Sequence, residues 1–299
     1  MVPPIISYVT FNRLGLTLRN LAAILESTDD FEMHIVDNGS IDGTWDYIQT
    51  LDDSRIKSKT NIGVNVGQIY AINLNLMKRR PEQYFITIDN DVYIETKDWI
   101  SRFMKVFDTF PEAGLLGVCR GEPYPEYYPP VTLKSKDGIS YLELIHSTPD
   151  VERDFVPGCL QCLRPELIER LGYWNEENCA GEAEMSLRVN NYSFLQAGFL
   201  TDISIKMPQT LECAQCQYSS LCKLNKSRET CISIYQKRYK NDLFMKKFKW
   251  KFDETIRDMR SGKRPVFCAS SLDGASMENH KFTMEWALDN FKFYIDNAN

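Results

Sequence analysis

Asp89 and Asp91 stand two positions apart at the end of an apolar, β-branched run, Phe85-Ile86-Thr87-Ile88. Such a run reads as a buried strand of a parallel sheet, and ligands in open α/β folds bind outside the carboxyl ends of the strands. Two carboxylates placed there suit a divalent cation, because hard cations take oxygen ligands and share them with substrate phosphates. They suit a plain turn equally well, since Asp and Asn tolerate turn geometry. A second acidic pair, Glu182 and Glu184, opens a helical pattern. Carboxylates in a cleft can take a proton from a hydroxyl; at a helix start they also complement the macrodipole without any chemistry. Four thiols, Cys213, Cys216, Cys222 and Cys231, fall close together in the last third of the chain. Their spacing favours a closed Zn²⁺ site, while free thiols or an iron–sulfur cluster would use the same residues.

The chain that must position these groups has 299 residues, enough for one large domain, or one with a small appendage. With 43% hydrophobic residues it can bury a sizeable core. No run approaches the roughly 18 apolar residues of a membrane span, and the N-terminus lacks a signal-peptide pattern. The expected location is therefore cytoplasmic. Nine cysteines, an odd number, fit metal binding better than a disulfide framework. The net charge of −6 conceals a basic segment: Lys223 to Arg264 holds 14 Lys and Arg against 5 Asp and Glu.

Strand and helix patterns alternate through the first part: strands at 5–10, 31–37, 55–59, 85–89 and 114–118, with helices at 14–25, 44–51, 67–79 and 98–110 between them. That alternation implies right-handed βαβ units and a mostly parallel sheet covered on both faces. Gly121 to Pro130 reads as a loop. A strand at 155–163 and helices at 165–171 and 182–196 follow. Cys159 and Cys162 on that strand read as core, and the domain boundary is placed at 208/209.

The order of motifs resembles the family 2 glycosyltransferases of the GT-A fold, over roughly Ile5 to Ile205. The resemblance rests on Ile5-Ile6-Ser7-Tyr8-Val9-Thr10-Phe11-Asn12-Arg13, Val36-Asp37-Asn38-Gly39-Ser40-Ile41-Asp42-Gly43-Thr44, Asn61-Ile62-Gly63-Val64-Asn65-Val66-Gly67 and Asp89-Asn90-Asp91. Further along stand Pro157-Gly158 before Arg164, Gly172-Tyr173-Trp174-Asn175-Glu176, and Gly181-Glu182-Ala183-Glu184-Met185-Ser186-Leu187-Arg188. It implies transfer of a sugar from a nucleotide-sugar donor with inversion at the anomeric carbon. Thr10, Phe11, Asn12, Asp37 and Asn38 would form the base and ribose pocket, with Asn61, Gly63 and Gly67 letting backbone approach the nucleotide. Asp89 would lie near the ribose and sugar, and Asp91 would hold Mn²⁺ or Mg²⁺. Glu182 would be the general base and Glu184 the second acid, although the family has Asp at both positions. Trp174 would line the acceptor pocket or pack in the core. Arg164 would neutralise site carboxylates or phosphate, and Arg188 would make a structural ion pair.

Beyond the resemblance lies a small Cys-rich, basic, mainly helical extension. Its stretches 235–240 and 244–252 interleave cations with aromatics. An amphipathic helix explains them by packing its aromatics inward. An anionic acceptor explains them too: Lys246, Lys247 and Lys249 would track phosphates and aromatics would stack on the bases of a nucleic acid with a hydroxylated base, while a phosphate-bearing glycan or an anionic membrane surface fits the same charges. Two other functions fit parts of the sequence. One is a zinc-dependent nucleic-acid-binding protein with an inactive GT-A domain. The other is a nucleotidyltransferase, which would need a Gly-rich turn where Thr10-Phe11-Asn12-Arg13 stands.

Overall fold

A computed structural model of the chain describes residues 2–118, 130–145, 155–178, 181–207, 219–221 and 242–296. The elements come in the order β1 (Ile5–Thr10), α1 (Leu14–Leu25), β2 (Glu32–Asp37), α2 (Thr44–Thr50), β3 (Ile56–Asn61), α3 (Gln68–Leu76) and β4 (Phe85–Asp89). Next are β5 (Tyr93–Ile94), α4 (Trp99–Thr109), β6 (Ala113–Val118), β7 (Val131–Lys136), β8 (Ile139–Leu144), β9 (Leu160–Leu163), α5 (Pro165–Leu171) and α6 (Gly181–Tyr192). The described chain closes with β10 (Gln196–Leu200), β11 (Ile205–Lys206), α7 (Asp242–Arg260), α8 (Gly274–Asn279) and α9 (Met284–Asp296).

Nine strands form one sheet in the order β3-β2-β1-β4-β9-β6-β10-β8-β7. The first four run parallel, β9 lies antiparallel between β4 and β6, and β10 is parallel to β6. The β7–β8 hairpin closes one edge. Both faces of the parallel half are covered, which is why its strands read as unbroken apolar runs. Alternation sends Ile6, Tyr8, Ile86 and Ile88 to one core with Trp99 and Phe103 of α4, while Ile5 and Phe85 join Leu167, Trp174 and Met185 on the other. Cys159 and Cys162 are buried in the core, as expected.

Two departures have local causes. The expected helix to residue 196 stops at Tyr192, because Phe194 takes a left-handed φ of 62° and Ser193 and Asn190 then capture the N–H groups of Leu195 and Ala197. The freed residues enter the sheet as β10. The β7–β8 hairpin was not anticipated, since it sits at the edge and exposes apolar positions such as Leu133.

The described C-terminal elements are bonded to the sheet domain through two fully buried carboxylates. Glu176 accepts from Asn73 Nδ2 (2.8 Å), Ser270 Oγ (2.5 Å) and the Ser271 N–H (2.9 Å). Glu177 pairs with Arg264 and accepts the Thr283 N–H at 2.8 Å. The boundary expected at 208/209 lies outside the described residues, as do 121–129 of the expected loop, 235–240, and Cys213, Cys216, Cys222 and Cys231. α7 behaves as an amphipathic helix: Phe244, Phe248, Phe252, Ile256 and Met259, three or four positions apart, are its buried apolar residues. No helix among the described residues is long and apolar enough to cross a membrane.

Candidate active site

Parallel register gathers residues far apart in sequence along one edge of the sheet. Thr10 is the register partner of Asp37, Asp37 of Asn61, and Val9 of Asp89. The carboxyl ends of β1, β2, β3 and β4 thus form the shelf on which ligands of such sheets sit.

The turn after β1 is held from β2. Asn12 and Arg13 both adopt left-handed φ, 55° and 64°, a region that non-glycine residues enter rarely. The Asn12 N–H donates to Ser40 Oγ (2.7 Å), Asn12 Oδ1 accepts the Ile41 N–H (2.9 Å), and Asp42 Oδ2 accepts the Leu14 N–H (2.8 Å). Asp42 Oδ1 also takes the N–H and hydroxyl of Thr44, starting α2. Thr10 and Asn12 are themselves buried, and Phe11 is half-buried. Ser40 and Asp42 were not singled out from sequence, though the Asn-Gly-Ser-Ile-Asp-Gly run contains both.

Asp37 is fully buried, and burial raises its pKa, an effect partly offset by hydrogen bonds from Ser40 and Gly39. Its Oδ1 accepts the N–H groups of Gly39 (3.0 Å) and Ser40 (2.8 Å), while Oδ2 is buried without a partner among the described residues. Asn38 donates to the Gly67 carbonyl at 3.2 Å, tying β2 to the loop between β3 and α3. In that loop Asn61 Oδ1 accepts the Gly63 N–H at 2.6 Å. Gly67 has a φ of 92°, which favours glycine, and a Cβ there would lie 2.7 Å from the Tyr294 ring and force it to shift. A Cβ on Gly39, whose φ is 81°, would lie 2.6 Å from the Val64 backbone nitrogen.

Asp89 and Asp91 end β4 half-buried. Asp89 Oδ1 accepts from Gln68 Nε2 at 2.6 Å, and Asp91 Oδ2 lies 2.7 Å from Arg13 Nη1. Between them Asn90 donates to Thr10 Oγ1 at 2.9 Å, tying the end of β4 to that of β1. The donor set is all oxygen, and Asp91 already faces a positive charge, so the pair fits a hard divalent cation. Among the described residues no three His, Cys, Asp or Glu are assembled to hold a metal, so phosphate oxygens would have to complete the shell.

Across the edge, Glu182 is exposed in the first turn of α6, and its Oε2 accepts the Gly158 N–H at 2.7 Å. A Cβ on Gly158 would stand 2.2 Å from that oxygen, so only glycine allows the approach. The carbonyl of the next residue, Cys159, accepts the Asp89 N–H at 3.1 Å. Glu182 and Asp89 are thereby linked through two consecutive residues.

Other expected site residues are engaged elsewhere. Glu184 is buried in an ion pair with Arg188 (2.9 Å, with 1% and 0% of their side chains exposed), which leaves it inaccessible to a ligand. Arg188 makes the structural pair expected of it and donates to the Leu171 and Tyr173 carbonyls. Trp174 is core rather than acceptor pocket: it is 2% exposed against Phe85, with its backbone bonded to Asn73. Arg164 spends its guanidinium on the Ala113, Phe107 and Phe110 carbonyls, so it neutralises no site carboxylate. Lys247 pairs with Asp289 over the Trp286 ring, whereas Lys246 and Lys249 are exposed. The aromatics expected to stack on bases fail in that role at Phe244, Phe248 and Phe252, which are core.

With this geometry in hand, the comparison with known families is decisive: residues 6–171 match the model of glycosyl transferase family 2. The chain belongs to that family. Similar solved structures include the mannosyltransferase PcManGT from Pyrobaculum calidifontis in complex with GDP-Man and Mn²⁺, at 17% identity and a TM-score of 0.54, covering 71% of this chain and 59% of that one. S. aureus TarS 1–349 in complex with UDP-GlcNAc matches at 16% identity and a TM-score of 0.51, covering 71% and 60% respectively. These likenesses establish the GT-A fold for this family 2 chain. The chain spans about three fifths of the length of those solved structures. No curated protein matches the sequence.

Proposed function

We propose that this family 2 chain transfers a sugar from a nucleotide-sugar donor to an acceptor hydroxyl with inversion. The observation that carries the proposal is the linkage of Glu182 and Asp89 through Gly158-Cys159, which sets an exposed carboxylate beside the acidic end of β4. The unpartnered, buried Oδ2 of Asp37 suits acceptance of a hydrogen bond from a nucleotide, and the 61–67 loop would close over it. Asp91, with Asp89, would hold Mn²⁺ or Mg²⁺. When bound, that ion would neutralise charge developing on the departing nucleoside diphosphate. Asp89, held by Gln68, would orient the sugar. Glu182 would take the acceptor hydroxyl's proton as the oxygen attacks the anomeric carbon and the bond to the diphosphate breaks.

For the acceptor, Lys246, Lys249, Arg257 and Arg260 form an exposed basic stripe on α7, interrupted by Asp253. The stripe supports an acceptor carrying negative charge, and the buried phenylalanines favour a phosphate-bearing glycan over stacked nucleic-acid bases. Structural zinc at Cys213, Cys216, Cys222 and Cys231 is part of the same proposal, and metal analysis of the purified protein tests it.

Glu182→Gln tests the assignment. Transfer should fall by about 10²- to 10⁴-fold, the ordinary contribution of a general base, while nucleotide-sugar binding measured by thermal shift is retained. Near-wild-type turnover in that variant would sink the role of Glu182.

A further inference from the structure

Arg13 places a positive charge on the carboxylate that the proposed metal would use. Its Nη1 lies 2.7 Å from Asp91 Oδ2, in a pair whose side chains are 15% and 25% exposed. The residues are 78 positions apart, so the contact is made by the fold and not by local chain geometry. Arg13 begins α1 but takes no part in capping it through its side chain. Its left-handed backbone, braced by Ser40, Ile41 and Asp42, aims it across the β1 and β4 ends instead.

A guanidinium and a divalent ion compete for one carboxylate, because like charges at that separation repel. A bare metal ion must displace Arg13 and gains only Asp91 and Asp89. An ion arriving with a diphosphate brings further oxygen ligands and negative charge that offsets the displaced guanidinium. We propose that Arg13 is an exchangeable counter-ion of the donor site. It neutralises Asp91 in the ligand-free protein and makes divalent-metal binding depend on a nucleoside diphosphate. Arg13 is thus a positioning residue that acts through Asp91, and the proposal rests on the donor-site assignment above. Coupling is reciprocal, so the metal must tighten nucleotide binding by the same factor that the nucleotide tightens metal binding.

The test is Mn²⁺ titration of the full chain, followed by electron paramagnetic resonance of unbound ion, alone and with saturating UDP or GDP. Wild type, Arg13→Ala, Arg13→Lys and Asp91→Ala are compared, with circular dichroism as the folding control. Without nucleotide, Arg13→Ala should bind Mn²⁺ about tenfold more tightly than wild type, a coupling of ordinary size. With nucleotide the two should converge, and Arg13→Lys, which keeps the charge, should follow wild type. Equal Mn²⁺ affinities for wild type and Arg13→Ala without nucleotide would overturn the exchange while leaving the donor site standing. If neither UDP nor GDP promotes Mn²⁺ binding and Asp91→Ala changes nothing, the donor site itself fails and the exchange with it. Should Arg13→Ala misfold, Arg13→Gln, which keeps side-chain length without charge, must give the same tightening.

Discussion

Arg188→Met should destabilise the protein severely, for a reason that can be worked through. The guanidinium is wholly buried, pairs with Glu184 at 2.9 Å and donates to the carbonyls of Leu171 and Tyr173. Removing it strands a carboxylate that is 1% exposed. Breaking a buried pair from one side costs about 3–5 kcal/mol, because the remaining charge keeps its desolvation penalty without its partner. Domains are stable by only about 5–15 kcal/mol, so this is a large share of the total. Replacing both partners, as in Glu184→Leu with Arg188→Met, should recover much of the loss, since an apolar pair of similar volume is often neutral. Urea denaturation of wild type, both single variants and the double variant closes the cycle. A loss below about 1 kcal/mol for Arg188→Met would refute the assignment of a desolvated pair. So would a double variant no more stable than the single one. Arg188 also ties α6, which carries Glu182, to the Leu171 and Tyr173 carbonyls, so the single variant should also lose the proposed transfer activity.

Asp37→Asn should separate structure from ligand binding at β2. Oδ1 of Asn can still accept the Gly39 and Ser40 N–H groups, and burial already disfavours the charged carboxylate. Stability at neutral pH should therefore hold or rise, while nucleotide affinity in calorimetry falls because an amide donor replaces Oδ2; unchanged affinity would remove Asp37 from the pocket. The raised pKa has a definite sign: the carboxyl favours the fold while protonated, and that contribution is lost as pH rises through the folded value. His34 works in the opposite direction. Burial, with Lys78 nearby, lowers its pKa from 6.5 to about 4, so its neutral form belongs to the fold. Its stability contribution is present above the unfolded value and is lost as pH falls from 6.5 towards about 4, with a ceiling of about 3 kcal/mol. His34→Gln should flatten stability across that interval in urea titrations at stepped pH, and an unchanged slope would count against the shift.

The alternating first half was legible because β1, β2 and β4 are covered on both faces and must be apolar throughout. Once those strands are parallel, Thr10, Asp37, Asn61 and Asp89 fall on one edge without further information. Tertiary competition was not legible. Trp174 has a side chain suited to a sugar, but its place between Phe85 and the Asn73 bonds is set by packing. Glu184 and Arg188 carried a readable signal, the i,i+4 spacing of opposite charges, yet only burial shows that the pair excludes Glu184 from chemistry. The Arg13–Asp91 contact left no local mark, since it depends on two strands meeting in register. Gln196–Leu200 lay hidden because a single left-handed residue, Phe194, ends the helix and turns the chain into the sheet.

The carboxylates of this chain are sorted by what satisfies them. Asp42, Glu176 and Glu177 are buried and accept from backbone N–H groups, side-chain donors or arginine of other elements, so each holds two parts of the fold together, while Glu184 is buried against Arg188 of its own helix. Asp89, Asp91 and Glu182 sit at the more open edge, where their partners include Gln68, Arg13 and the Gly158 N–H respectively. Asp37 stands between the two groups, with one oxygen fixed in a turn and the other without a partner among the described residues. Burying an unsatisfied polar atom costs free energy unless something pairs with it. Asp37 Oδ2 is one of several buried side-chain atoms without a partner among the described residues, and it lies at the same carboxyl edge of the sheet as Asp89 and Asp91, where a ligand's hydrogen-bond donor would gain by pairing with it.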